Sequence, residues 1–424
     1  MIIEKTYKYK VIEDDEQWLN FFAQHAGCRR FVYNHFSDIN IKLFNSNQKT
    51  LTNYEMDAQL VPLKNKYPFL GDVNSQMLQN VTKDVKRGIN KFYSDLKNKI
   101  PRKRLLAFKK KYDDQSFSFP NYKNNVRFTH NYKVFNKPKV CYLKVPKLKT
   151  PIKILKHRNF EGEIKNVTFS KKGDCYYVSL QVKQSIELYE NNLQSIIGID
   201  LGVKRLINTS ENEIFAPLNS YKKLQAKLKK AQRKLAKCVK FSNNFKRLKL
   251  KINKIHHKIA KMRLDYLHKI STYLIKNHAG IIVENLNVKN MVKKAKPKLG
   301  EDGKTYIKNN KKQKSGLSRN ILEQGWGLFR ILLTYKSKWY NTYFDDVPAK
   351  NTSMKCCQCG HIHKDNRQQQ AVFECQICGF SINADFNASL NILYLGLLKM
   401  GLLKEEAAAQ VNLKISHQEF ITNL

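Results

Sequence analysis

The chain has 424 residues, 78 of them Lys or Arg against 34 Asp or Glu, for a formal net charge of +44. That length exceeds what one hydrophobic core usually supports, so two or three domains are expected; the charge would repel itself in a compact state unless a polyanion neutralised it, and nucleic acid is the first candidate. No apolar run reaches the roughly 18 residues of a membrane span and MIIEKTYKYK lacks the apolar core of a signal peptide, so the expectation is a cytoplasmic, nucleoid-associated prokaryotic protein with no membrane partner.

Residues 3–13 alternate polar and apolar like a strand, and a helical pattern follows through Trp18, Phe21 and Phe22 past Phe31, Val32 and Phe36. A second helical stretch places Leu78, Val81, Val85, Ile89 and Phe92 on one stripe, leaving Gln76, Gln79, Lys83 and Arg87 on another side. That side could meet DNA, since Gln reads adenine edges and Lys pairs with phosphate, or it could simply be solvated. Residues 99–122 mix basic side chains with Phe and Tyr, a composition suited to phosphate pairing and base stacking and equally to an ordinary basic loop. Residues 139–147, 150–155, 164–170 and 175–183 read as strands, the last two joined by a turn at Lys171-Lys172-Gly173-Asp174, so a small β-barrel or sheet is expected; Glu187–Asn192 reads as a linker.

Three short strands in meander order follow, Ser195–Asp200, Arg205–Thr209 and Glu213–Ala216. A basic helical hairpin over 218–278 keeps Leu224, Leu228 and Leu235 in one arm and Leu248, Ile252, Ile255, Ile259 and Met262 in the other at three- and four-residue spacings. Beyond it lie a buried strand at Gly280–Leu286, a Lys-rich loop at 292–315, a helix with Trp326 and Phe329, and a strand near 340–348. Residues after Met400 suggest only a short helix or disorder.

The strand IIGID ends in Asp200 with Gly202 two residues on, which puts a carboxylate at a sheet edge; alone, it fits a phosphate loop as well as a metal site. The apolar strand IIVENL carries Glu284 where an unpaired buried carboxylate would cost several kcal/mol. Asp385 heads a later helix, where its cheapest role is an N-cap. Brought together, three carboxylates repel unless divalent cations fill the gap, and two magnesium ions would let Asp200 bridge both while Glu284 and Asp385 complete their shells for phosphodiester hydrolysis. The chain lacks the DxGGGT-type second loop of a phosphate-binding ATPase. Five of nine cysteines lie between Cys356 and Cys378, and Cys356-x2-Cys359 with Cys375-x2-Cys378, each pair followed by Gly, has the spacing of one structural zinc ribbon; Cys357 could swap with Cys356.

GIDLGVKRL at 198–206, IIVENLNVKNM at 281–291, WGLFRILLTYKSKW at 326–339 and the cysteine blocks with SINADFNASLNI up to 392 resemble the catalytic and zinc-ribbon blocks of the TnpB family; RRFVYNHF at 29–36, 67–93 and SFSFPNYK at 116–123 resemble its helical recognition lobe and its basic flank. Asn383 stands where many relatives have His and Ser389 where Ala is usual. The resemblance implies an α/β multidomain protein. Its RNase H-like (RuvC) nuclease domain would occupy 195–350 and 381–400 with a zinc ribbon inserted at 351–380 and a tail at 401–424. A wedge-like β-barrel of 1–13 and 124–190 would carry an inserted helical recognition domain at 14–123. It implies a magnesium-dependent, RNA-guided DNA endonuclease, monomeric or weakly dimeric on RNA, with Asp200, Glu284 and Asp385 catalytic. Its partners would be a guide RNA from the transposon end and double-stranded DNA bearing a short adjacent motif. Arg367 would sit near the scissile phosphate. A compact type V CRISPR effector shares this chemistry, and a nuclease-inactive RNA-guided repressor shares the fold without it.

Overall fold

The computed structural model describes residues 1–12, 16–102, 104–111, 115–120, 127–129, 139–173, 175–187, 195–301, 305–307 and 309–422. The linker expected at Glu187–Asn192, apart from Glu187, and the turn residue Asp174 lie outside the described residues. The chain divides into two compact units, Met1–Ile186 and Glu187–Leu424.

In the first unit, β1 (Ile2–Val11) buries Ile3, Tyr7, Tyr9 and Val11, the alternation that commits a strand with one wet face. It pairs antiparallel with β7 (Cys175–Ser185) and β5 (Ile152–Lys156). With β2 (Gln115–Pro120), β3 (Arg127–Thr129), β4 (Lys139–Lys144) and β6 (Glu163–Lys172) they form a seven-stranded sheet in the order β2-β6-β7-β1-β5-β4-β3. Three helices precede β2: α1 (Glu16–Asn45), α2 (Asn53–Lys66) and α3 (Ser75–Lys97). Thr52 and Glu55 cap α2 reciprocally, Glu55 N donating to Thr52 Oγ1 at 3.2 Å and Thr52 N to Glu55 Oε2 at 2.6 Å. The stripe expected on α3 is buried from Leu78 to Phe92.

Helices and sheet share one core: Trp18 of α1 lies 5.2 Å from Phe169 of β6, and Phe22 lies 4.7 Å from Tyr176 of β7. The sequence reads residues 99–122 as a basic, aromatic segment or loop, whereas 115–120 form the edge strand β2. Phe117 and Phe119 alternate inward with period two, and burying both rings on the sheet outweighs the basic character of the flanking residues.

The second unit is built on a five-stranded sheet ordered β10-β9-β8-β11-β14, from β8 (Ile196–Asp200), β9 (Ile207–Thr209), β10 (Ile214–Phe215), β11 (Gly280–Asn285) and β14 (Tyr343–Pro348). The first three form the expected antiparallel meander, and β11 runs parallel to both β8 and β14. Ile197, Ile199, Ile207, Ile281 and Val283 pack on one face with Leu267, Leu274 and Phe329, from α5 (Asn243–Asn277) and α8 (Trp326–Tyr340). Opposite them lies α9 (Ala384–Lys399), whose Ile392 meets Ile282. The hairpin of α4 (Ser220–Ala236) and α5 closes on Leu228, Ala231 and Ile252, with Leu224, Leu235, Leu248, Ile255 and Met262 half-buried.

Two expectations are corrected here. The Lys-rich stretch holds a small hairpin, β12 (Lys298–Leu299) with β13 (Tyr306–Ile307), and its end opens α7 (Lys311–Gln324), while residues 302–304 and 308 lie outside the described ones. A short helix, α6 (Val288–Met291), follows β11. The tail forms α10 (Lys404–Thr422), whose Ala407, Val411 and Ile415, four residues apart, bury one stripe against Leu393 and Leu397 of α9. No described helix is long and apolar enough to cross a membrane.

Glycine sets how closely α9 approaches the sheet. A Cβ at Gly198 of β8 would lie 2.5 Å from Leu393 N and closer still to Ser389 O, and one at Gly396 of α9 would lie 2.5 Å from Ile282. Gly198→Ala should therefore lower unfolding stability by about 1–3 kcal/mol in urea denaturation, because backbone atoms must move apart. Gly316→Ala, on the open side of α7 with no atom near the added methyl, should be neutral or stabilising.

Candidate active site

Parallel pairing of β11 with β8 places Val283 beside Ile199, so the next residues, Glu284 and Asp200, emerge together at the same edge of the sheet. Glu284 is 8% exposed and its Oε1 accepts the Leu201 N–H at 3.3 Å. The close seat of α9 brings the start of that helix to the same edge. The cap there is Asn383 rather than Asp385: Asn383 Oδ1 accepts from Asp385 N at 3.1 Å and Phe386 N at 3.2 Å. Asp385 is thereby left to interact elsewhere, and its Oδ1 receives Arg367 Nη2 at 3.0 Å.

Burial, and then the neighbouring Asp385 charge, push the Asp200 carboxyl well above the usual carboxylate range, with the Arg367 guanidinium opposing them. Burial first and Asp200 second push Glu284 upward too. Asp200 thus lies close enough to both Glu284 and Asp385 to interact with each, and such a concentration of carboxylates is what a multivalent cation relieves. Since the folded-state pKa values of Asp200 and Glu284 are raised, their stability contribution is full below the ordinary carboxylate pKa and is lost as pH rises toward neutrality and beyond. Without added divalent cation, the protein should lose stability over that window more steeply than Glu284→Gln, and magnesium should narrow the difference; thermal melts across pH check this.

Arg367 is held by the ribbon. It ends a short 3-10 turn (Lys364–Arg367) and also donates to Gln370 O at 2.8 Å. The buried Asn366 beside it donates to Met354 O at 3.0 Å and accepts Gln376 N at 3.0 Å. The ribbon's strands β15 (Val372–Glu374) and β16 (Ser381–Asn383) lead directly into α9. Its sulfurs at Cys356, Cys359, Cys375 and Cys378 all lie within 4.8 Å of one another, with 3.8 Å between Cys356 and Cys378 and 3.5 Å between Cys359 and Cys375. Tetrahedral zinc with Zn–S bonds of roughly 2.3 Å would set its sulfurs about 3.8 Å apart, so the four side chains fit that ion. Cys357 is excluded from the set: it packs against the α9 cluster and its N–H goes to Asn387 Oδ1 at 3.1 Å. His361 is half-buried and His363 exposed, outside the sulfur cluster.

Sequence patterns alone miss three residues that build the site. Arg205, in the loop after Asp200, reaches Asn383 Oδ1 at 3.4 Å and so stands on the Asp385 side of the site with Arg367. Asn387 and Asn391, buried on α9, donate to Lys355 O at 2.8 and 2.7 Å and fasten the ribbon to the helix; amides four residues apart on an otherwise apolar helix face were the available signal. Gln76, Gln79 and Lys83 belong to the first unit, on the side of α3 away from its buried stripe; Gln79 and Lys83 are exposed and Gln76 half-buried.

Residues 178–295 match a family described as "Probable transposase" (OrfB_IS605), residues 326–392 match "Cas12f1-like, TNB domain", and residues 1–49 match a "Helix-turn-helix domain" family, although here they contain β1 and the long helix α1. The chain is 36% identical to "Putative RNA-guided DNA endonuclease InsQ" of Escherichia coli (strain K12) over 88% of its own length and 87% of the relative's. It is 26% identical to a protein of the same description from Streptomyces pristinaespiralis, over 93% and 90% of the two chains. Among solved structures, the fold resembles the protein of a Cas12f1-sgRNA-target DNA complex, with a TM-score of 0.53, 15% identity and coverage of 92% of this chain and 98% of the other.

Proposed function

Because the chain belongs to the TnpB-like family of RNA-guided DNA endonucleases that includes InsQ, we propose that it binds a guide RNA derived from a transposon end, recognises a short motif beside its target in double-stranded DNA, and cleaves that DNA. The observation that carries the proposal is the convergence of Asp200, Glu284 and Asp385 at one edge of a sheet whose antiparallel meander followed by two parallel strands supports an RNase H-like (RuvC) reading. All three carboxylates are present, and Asp200 interacts with both of the others, which favours a nuclease over an inactive RNA-guided repressor.

Asp200, Glu284 and Asp385 would hold two magnesium ions, which when bound would supply Lewis-acid stabilisation and an activated water for phosphodiester hydrolysis. The protein's own groups do the rest. Glu284, fixed by the Leu201 N–H, presents its carboxylate from a dry strand; Arg367 and Arg205 bring positive charge to the side of Asp385, where they would meet the scissile phosphate. Cys356, Cys359, Cys375 and Cys378 would hold one structural zinc, leaving no open coordination position for chemistry.

The excess of cations would line the paths of the guide RNA and the RNA–DNA heteroduplex, with base pairing choosing the target. Gln76, Gln79 and Lys83 would contact the adjacent motif or backbone, and the protein would act in the cytoplasm as a monomer or weak dimer on RNA. In the same scheme a wedge-like barrel around a helical recognition segment would make up the first unit, and the nuclease core with its ribbon the second. Recovering co-purified RNA tests this: a discrete species encoded beside the gene should be bound, and with it Asp200→Ala should shift duplex DNA matching its 3′ segment. Retention of bulk RNA alone, with no guide-matched DNA shift, would count against the proposal.

A further inference from the structure

Asn208 of β9 is 1% exposed, and neither its carboxamide oxygen nor its nitrogen has a hydrogen-bond partner among the described residues. Such a group costs about 1–3 kcal/mol, and a native protein that retains one usually has an ion or water to satisfy it. Its place in the sheet is specific. Asn208 is the cross-strand partner of Asp200, so the two side chains leave the same face, with Cβ atoms about 4.5–5.5 Å apart for such pairs.

That face is the one covered by α9: Gly198, two residues before Asp200, abuts Ser389 and Leu393, and Ile282, two before Glu284, packs on Ile392. The neighbours of Asn208 in β9, by contrast, alternate away, and Ile207 joins the opposite core. Asn208, Asp200 and Glu284 therefore form one row across three adjacent strands, facing the helix that supplies Asp385. The unpartnered amide is next to a carboxylate of the candidate metal site.

We infer that Asn208 is a positioning residue for the metal centre: with a divalent cation bound, its N–H group would donate to the Asp200 carboxylate and its carbonyl oxygen would accept from water in the shell of that cation. This rests on the nuclease reading of the three carboxylates. Outer-shell partners of this kind typically change metal affinity by about 10–100-fold.

The test is Mn2+ binding to the full-length, zinc-loaded protein without nucleic acid, read from the free-ion EPR signal in wild type, Asp200→Ala and Asn208→Leu. The expected result is saturable binding by wild type, its loss in Asp200→Ala, and a 10–100-fold weaker dissociation constant in Asn208→Leu. The same leucine variant should melt higher than wild type in the absence of metal. Its cleavage should approach the wild-type rate only at raised magnesium. Wild-type Mn2+ affinity in Asn208→Leu would overturn the inference while leaving the nuclease reading intact; absence of Asp200-dependent binding in wild type would instead remove the nuclease reading. If the leucine variant does not fold, the smaller Asn208→Val takes its place, and failure of both to fold would assign the amide to the fold and overturn the inference.

Discussion

Glu284→Gln is expected to reduce guide-directed DNA cleavage by a factor on the order of 10³ or more, equivalent to about 4 kcal/mol of transition-state stabilisation, while leaving guide RNA and target binding unchanged. Gln has nearly the same shape and can still accept the Leu201 N–H that fixes the carboxylate in the wild type, so packing along β11 should survive. What disappears is the negative charge at a position from which bulk water is almost excluded, where an ion cannot recover its lost ligand from solvent. Single-turnover cleavage beside a binding assay with the same guide checks this. A variant that cleaves at the wild-type rate would show that the carboxylates at the sheet edge do not form the reactive centre.

The second large effect is expected from the ribbon. Cys375→Ser should lose zinc, and with it the folding energy that zinc-finger peptides place at roughly 10–16 kcal/mol for a structural site. Two consequences follow from the contacts: Arg367 loses the turn that carries it to Asp385, and Lys355 loses its register against Asn387 and Asn391. Cleavage should fall at least 10²-fold. Far-UV circular dichroism should change little, because the two main sheets and their helices keep separate cores. Cys357→Ser is the contrast: its side chain packs outside the sulfur cluster, so zinc content should stay at one ion per chain. Zinc quantification on both variants distinguishes them.

Much of this site can be read from the chain because its parts are carried by strongly patterned segments. An apolar strand interrupted by Glu284, another ending at Asp200 and paired cysteines with two-residue gaps each have few structural explanations. Asp385 is different. Read locally it is a cap, and only the fold reveals that Asn383 takes the cap and leaves the carboxylate to the site. Asn208 and Arg205 were invisible for a related reason: one is defined by its partner across a sheet and the other by a cap 178 residues away. Strand β2 was hidden by basic flanks that mask the alternation of Phe117 and Phe119, and the length of α10, for which the sequence suggests only a short helix or disorder, by a stripe of small and branched residues that gains its meaning from its partner α9.

The central claim is that Asp200, Glu284 and Asp385 form one metal-dependent centre directed by RNA, and plasmid cleavage tests it most directly. Purified protein with its flanking guide RNA is given a plasmid library carrying the matching target beside randomised sequence, with and without magnesium, and in parallel with Asp200→Ala. Magnesium-dependent double-strand breaks, confined to guide-matched plasmids with one adjacent motif and absent from Asp200→Ala, are the predicted result. Guide-matched binding without cleavage by the wild type, or cleavage that survives Asp200→Ala, would contradict it.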